Sequence, residues 1–267
     1  MEVLRHYFGF RRDPFPQNIA VRDLYPLPAL AALEQRVSFA VHQKAIAVIT
    51  GDVGSGKSTS LRYVASKFNT SEYQLISLVG GNYSVVELYR HILLSFGVSF
   101  MSYQVSSMVA RLRELILEVG TRKVVPLLMI DEAHLLKRQV FTQLHTLVQF
   151  EFDSRPIMPM ILCGQDLLLE HMMASAVRPL ASRVLGRNHL EALRLEVMEE
   201  YLVHHIKLAG STEDLFSKEA KFAIHQAAGG LLRKANSLAK AGLMACAIEK
   251  GRQVSAEHIR LASTELF

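Results

Sequence analysis

The run Gly51-Asp52-Val53-Gly54-Ser55-Gly56-Lys57-Ser58, followed by Thr59, spaces three glycines, a lysine and a hydroxyl in the pattern GxxxxGK[S/T]. Glycines at these positions let the backbone fold back with its N–H groups aimed inward, and a row of such donors at a helix N-terminus binds an anion. Lys57 can reach the β- and γ-phosphates of a nucleoside triphosphate, and the Ser58 hydroxyl can sit on Mg2+. Further along, Leu127-Leu128-Met129-Ile130-Asp131-Glu132 ends an apolar run on two adjacent carboxylates. A parallel sheet presents ligands at the C-terminal edge of its strands. There Asp131 would hold Mg2+ through water, and Glu132 would polarise an attacking water as general base. Taken singly, these are a glycine turn and a solvated acidic strand end; together, each in its expected context, they point to phosphate chemistry.

These residues need a sheet to position them. Ala45 to Thr50 reads as the buried strand feeding the loop, and Lys57 to Phe68 as the helix that receives the phosphates. Tyr73 to Val79, Val124 to Ile130 and Pro159 to Cys163 read as three more strands. Amphipathic helices are expected over 29–42, 84–96, 106–119 and 139–150, from apolar residues at helical spacing. The alternation predicts an α/β fold with a parallel sheet covered on both faces. From Glu196 onward strand signals stop, and helices are expected over 196–209, 218–228, 232–249 and 256–266. The chain therefore divides into an extended strap over 1–28, which holds Pro14, Pro16, Pro26 and Pro28, an α/β core over 29–190, and a helical lid over 191–267.

With 267 residues, 50% of them hydrophobic, the chain can bury a substantial core. No apolar run approaches the roughly 20 residues that span a bilayer. The N-terminus, dotted with Glu2, Arg5, His6, Arg11, Arg12 and Asp13, lacks the apolar stretch of a secretory signal. The expectation is a cytoplasmic protein with no membrane contact. Cys163 and Cys246 lie too far apart in sequence to suggest a disulfide framework or metal cluster, and the adjacent His204 and His205 point in different directions on a helix and cannot chelate together. A net charge of +5 permits an acidic partner without arguing for one.

On its motifs the sequence resembles the AAA+ ATPases, and within them the ExeA-like branch. The resemblance rests on Phe8-Gly9-Phe10 before Pro14-Phe15, on Asp131-Glu132-Ala133-His134, and on Leu162-Cys163-Gly164-Gln165. It extends through 183–190 and 201–210 to Gly229-Gly230-Leu231-Leu232-Arg233-Lys234-Ala235-Asn236, and so covers nearly the whole chain. That branch includes secretion-associated ATPases and the transposition ATPases of the TniB and TnsC kind. The resemblance implies ATP and Mg2+ as ligands, with the loop from Gly51 to Thr59 and Arg233 contacting nucleotide and Ser58 and Asp131 serving the metal. It implies that Gln165 senses the γ-phosphate or the attacking water, and that Arg233 opens a second sensor helix. Among Arg178, Arg183 and Arg187 it implies a finger projected into a neighbouring subunit, with Arg183 and Arg187 favoured. An active site shared in this way implies a homo-oligomer, a ring or a filament.

The leading expectation is a helper that assembles on double-stranded DNA with ATP and recruits or activates a transposase. Secretion ATPases of this branch carry a membrane segment and a further domain beyond the bundle, whereas this sequence stops at Phe267. Arg111, Arg113, Arg122 and Lys123 are candidate DNA contacts, in a binding mode that salt would weaken. The alternatives are an ExeA-like ATPase of a secretion or envelope assembly and a scaffold for which hydrolysis is a timer.

Overall fold

The computed structural model describes residues 2–148, 150–151 and 156–266. In chain order it runs α1 (Glu2–Phe8), α2 (Pro28–His42), β1 (Ile46–Gly51), α3 (Lys57–Ala65), β2 (Tyr73–Val79), α4 (Val85–Ser95), α5 (Val105–Thr121), β3 (Val125–Asp131) and α6 (Arg138–Val148). It continues with β4 (Met160–Gly164), α7 (Leu167–Met173), α8 (Arg178–Ala181), β5 (Val184–Leu190), α9 (Leu195–Ala209), α10 (Lys218–Ala228), α11 (Leu232–Ile248) and α12 (Ala256–Leu266). The helix expected over 139–150 ends at Val148, and position 149 lies outside the described residues.

Two compact units emerge. One comprises residues 28–51 and 57–190, the other residues 1–27, 52–56 and 191–267. The first is built on a five-stranded parallel sheet of order β2-β3-β4-β1-β5. Strands β1 and β4 are buried along their whole length, as a central strand covered on both faces must be. One face carries Ile46, Val48, Ile76, Leu128, Ile130, Met160 and Leu162 into a cluster with Leu88, Ile92, Leu112, Ile116, Phe141 and Leu144 from α4, α5 and α6. The other is covered by α2 and α3, which bury Leu33, Val37, Ala40, Val41, Leu61 and Val64. Helix α4 starts at a capping box, in which the Ser84 hydroxyl accepts from the Glu87 N–H and the Glu87 carboxylate accepts from the Ser84 N–H. This pairing satisfies two otherwise orphaned donors.

Four strands were expected and five are found. In β5 the inward positions include Gly186 and Asn188, while Leu185, Arg187 and His189 face outward. The apolar run that betrays a central strand is missing from this edge strand.

The helical unit corrects the expectation of an extended N-terminal strap. Glu2–Phe8 is helical, and Leu4, Phe10 and Phe15 enter the same apolar cluster as Leu202, Ile206, Phe216, Leu238 and Leu243. Polar ties reinforce that packing. The Arg11 N–H donates to the Ala209 carbonyl at 2.8 Å, Arg12 Nε to the Leu208 carbonyl at 2.7 Å, and Lys240 Nζ lies 2.9 Å from the Asp13 carboxylate. Among the described residues no helix is long and apolar enough to cross a membrane.

Candidate functional site

Parallel pairing brings strand ends side by side. Thr50 pairs with Gly164 of β4 and with His189 of β5, and Ile130 pairs with Leu162. The C-terminal ends of β1, β3, β4 and β5 therefore form one edge, where a parallel sheet offers its ligand site.

The glycine-rich loop leaves β1 at this edge and enters α3 at Lys57. Gly54 and Gly56 have φ of +86° and +96°, a left-handed backbone that L side chains resist. The Ser55 N–H donates to the Asp52 carbonyl at 3.1 Å. The Ser55 hydroxyl is buried without a hydrogen-bond partner, and Lys57 at the N-terminus of α3 is only 5% exposed. A buried hydroxyl without a partner costs stability, and a phosphate oxygen would satisfy it. The loop thus fits a polyphosphate, with Val53 and Ser58 exposed and Thr59 half-buried.

The carboxylates stand at the end of β3. Asp131 accepts the Glu132 N–H through Oδ1 at 2.9 Å, and Glu132 itself is left-handed, at φ 50° and ψ 33°. Such strain in a non-glycine residue costs roughly 1–3 kcal/mol and tends to occur at functional sites. Next to Asp131, burial and the Asp131 carboxylate push the Cys163 thiol far above its usual range, so it stays protonated; the Lys57 ammonium, close enough to be felt, acts in the opposite sense. The Asp131 carboxylate and the Lys57 ammonium thus both lie within electrostatic reach of Cys163. Among the described residues no group of three or more His, Cys, Asp or Glu side chains could hold a metal ion. Mg2+ needs no such cage, since it binds through one or two protein oxygens together with substrate phosphates and water; Ser58 and Asp131 suit that role.

Residues 41–173 match the AAA domain family model. Over 97% of its length the chain is 26% identical to general secretion pathway protein A of Aeromonas hydrophila, and it spans about half of that relative, 48%. Cdc6p of Pyrobaculum aerophilum superposes with a TM-score of 0.73 at 16% identity, covering 95% of this chain and 70% of that one. The ORC1 protein of Aeropyrum pernix, solved in complex with DNA, superposes with a TM-score of 0.68 at 15% identity, covering 96% and 70%. The fold is of the AAA+ P-loop type.

Within this AAA+ fold, Gln165 follows β4 and its N–H donates to His134 Nδ1 at 3.3 Å. The same nitrogen lies 3.5 Å from Glu132 Oε2. His189 Nδ1 sits 3.0 Å from the Thr50 hydroxyl and 3.3 Å from Asp166 Oδ1. The Gln165-Asp166 pair is thus flanked by two imidazoles, neither of which carried a role in the sequence reading. His134 was visible there only as the end of a motif. Its contact depends on strand order, which spacing does not reveal.

Arg233, the second residue of α11, donates its N–H to the Gly54 carbonyl at 3.1 Å. A Cβ at position 54 would meet the Arg233 Cβ at 2.9 Å, so glycine is required there for space as well as for φ. The Arg233 side chain is exposed. The three finger candidates belong to the α/β unit. The Arg183 carbonyl accepts the Ile46 N–H at 3.0 Å, at the opposite end of β1, about 20 Å away at the usual strand rise. Burial lowers the pKa of its guanidinium, and burial together with the Arg183 charge lowers that of His145. Arg187 is exposed on β5 opposite Val48, and Arg178 is exposed at the start of α8. Of the candidate DNA contacts, Arg111 is held by Glu114 at 3.0 Å and Glu118 at 3.3 Å, and Arg113 lies over the Phe150 ring.

Proposed function

We propose that the protein binds ATP at the loop from Gly51 to Thr59 and hydrolyses it, with Glu132 as general base. The convergence of Lys57, Asp131 and Glu132 at one sheet edge carries the reading. The loop N–H groups and Lys57 hold the phosphates; Ser58 and Asp131 would hold Mg2+, which would supply charge neutralisation there. Glu132 takes the proton of the attacking water, while the Gln165 amide orients that water or the γ-phosphate. Arg233 contacts nucleotide from the loop side through its exposed guanidinium. Exposed Arg178 and Arg187 suit a finger that completes a neighbouring copy's site better than half-buried Arg183, so the working form is a homo-oligomer. Glu132→Gln should lower turnover by about 10²- to 10⁴-fold and leave ATP binding intact; unchanged turnover would remove Glu132 from its role.

Two finer readings remain, each with an observation behind it. Similarity to general secretion pathway protein A over nearly the whole chain favours the ATPase of a secretion or envelope assembly. Fold likeness to ORC1, solved with DNA, favours assembly on double-stranded DNA. The transposase partner rests on the sequence resemblance alone, since none of these relatives is named for transposition. A gel shift with duplex DNA, with and without ATP and across a salt series, separates the two: salt-sensitive, ATP-stimulated binding supports the DNA reading, and no binding at low salt rejects it.

A further inference from the structure

His134 is buried, 5% exposed, and one of its ring nitrogens faces two groups with opposite needs. The Gln165 N–H, 3.3 Å from Nδ1, requires an acceptor. The Glu132 carboxylate, 3.5 Å from the same atom, requires a donor. A neutral imidazole nitrogen is either one or the other. With the proton on Nε2, Nδ1 holds the Gln165 backbone and leaves Glu132 free of the ring. With the proton on Nδ1, the ring anchors Glu132 and releases the Gln165 N–H. The ring has little room to avoid the choice, because it lies against the end of β4, where a Cβ at Gly164 would come within 3.1 Å of Nδ1 and 3.0 Å of the His134 nitrogen. Little water reaches the buried ring to compensate the partner that loses, so the two contacts are mutually exclusive at a real cost.

We infer that His134 is a positioning residue that couples the Gln165 loop to the orientation of Glu132 by exchanging these two partners at Nδ1. The inference rests on the reading of Glu132 as the general base of ATP hydrolysis. When Gln165 is drawn toward the γ-phosphate its N–H leaves Nδ1, and the ring can take Glu132; when Gln165 relaxes, the ring lets Glu132 go. The state of the phosphate site is thereby transmitted to the base through one side chain.

The test compares His134→Ala and His134→Asn with the unsubstituted protein, measuring kcat, KM and the Kd of a fluorescent ATP analogue. The alanine variant should lose about 10- to 100-fold in kcat, the scale of a misplaced catalytic group, with the Kd changing by less than about threefold on that same argument. Asparagine, whose amide offers both a donor and an acceptor near the position of Nδ1, should recover most of that loss. Unchanged kcat in His134→Ala, or kcat and Kd failing together without recovery by asparagine, overturns the inference. A second measurement needs no variant: imidazole nitrogen NMR of the unsubstituted protein, without nucleotide and with a non-hydrolysable ATP analogue. A change in the Nδ1 protonation state between the two supports the exchange, and the same state in both rejects it. If Glu132→Gln hydrolyses ATP at the unsubstituted rate, the reading of the base has failed, an outcome distinct from any given by His134.

Discussion

The sheet edge and the helical unit each bury a histidine, and they bury it on different terms. In the helical unit His205, 3% exposed, sits 2.7 Å from the Pro14 carbonyl through Nδ1, stacked against Phe15 with ring centroids 5.2 Å apart. A carbonyl only accepts, so the ring must carry its proton on Nδ1. Burial holds its pKa down to about 4, with smaller contributions from the Pro14 carbonyl, which raises it, and from His204 and Arg12, which lower it. His205 is therefore a neutral ring with a fixed tautomer, a bolt between the N-terminal segment and α9. His134, equally buried, faces a donor and an acceptor at one nitrogen and has no fixed tautomer. Burial alone does not distinguish a structural histidine from a mechanistic one; the chemistry of the partners does.

The largest effect that would sharpen this contrast is on stability. His205→Ala opens a void beside Phe15 and Tyr201 and leaves the Pro14 carbonyl without its donor. The expected cost is about 3–4 kcal/mol, from the cavity and the orphaned carbonyl together, read by urea denaturation. Nucleotide turnover of the folded fraction should be unchanged. A variant that kept its stability and lost turnover would reverse the roles assigned to the two histidines.

A pH effect of slightly smaller size follows from the same residue. Above the unfolded pKa of about 6.5, His205 is neutral in both states and contributes no pH dependence. As pH falls from there toward its folded pKa of about 4, the unfolded chain takes up a proton that the native ring refuses, so stability declines with acid. The loss attributable to this ring is about 3 kcal/mol, and below pH 4 it grows no further. In His205→Gln the portion of the slope between pH 6.5 and 4 should disappear, leaving the part due to carboxylates. An identical slope in both proteins would show that the native ring takes up its proton as readily as the unfolded chain does. Next in size stands the 10- to 100-fold change in kcat expected for His134→Ala, which should leave urea stability nearly untouched.

How much of this was legible beforehand divides along the same line. The phosphate loop and the Asp131-Glu132 strand end were readable because the chemistry demands those residue types at that spacing. Strands β1, β3 and β4 were readable because central parallel strands are continuous apolar runs, and the edge strand β2 because Leu75, Ile76, Leu78 and Val79 still mark it as apolar. Strand β5 was not, since Gly186 and Asn188 fill inward positions that an apolar run would mark. Helix α1 was hidden for another reason: seven residues are too few to be helical on their own, and Leu4 is held by the cluster it enters. The contact between His134 and Gln165 was beyond reach, because it joins residues 31 positions apart through the adjacency of β3 and β4, and no local pattern states which strands are neighbours.

The smallest effect concerns the N-terminal segment that His205 bolts down. Asp13 performs two tasks: Oδ1 accepts the Phe15 N–H at 2.9 Å, and Oδ2 pairs with Lys240 Nζ at 2.9 Å. Asn keeps an oxygen for the first task and drops the charge needed for the second. Asp13→Asn should therefore cost at most about 1 kcal/mol, the range of a partly exposed ion pair, and the difference from the unsubstituted protein should shrink as salt is raised. Asp13→Ala loses the turn bond as well and should cost about 1 kcal/mol more, with that increment insensitive to salt. If both substitutions cost the same, the ion pair alone holds the segment beside Phe15. If Asn is silent and Ala is not, the turn that presents the Pro14 carbonyl to His205 is the element that matters, and the fixed tautomer of that ring begins at Asp13.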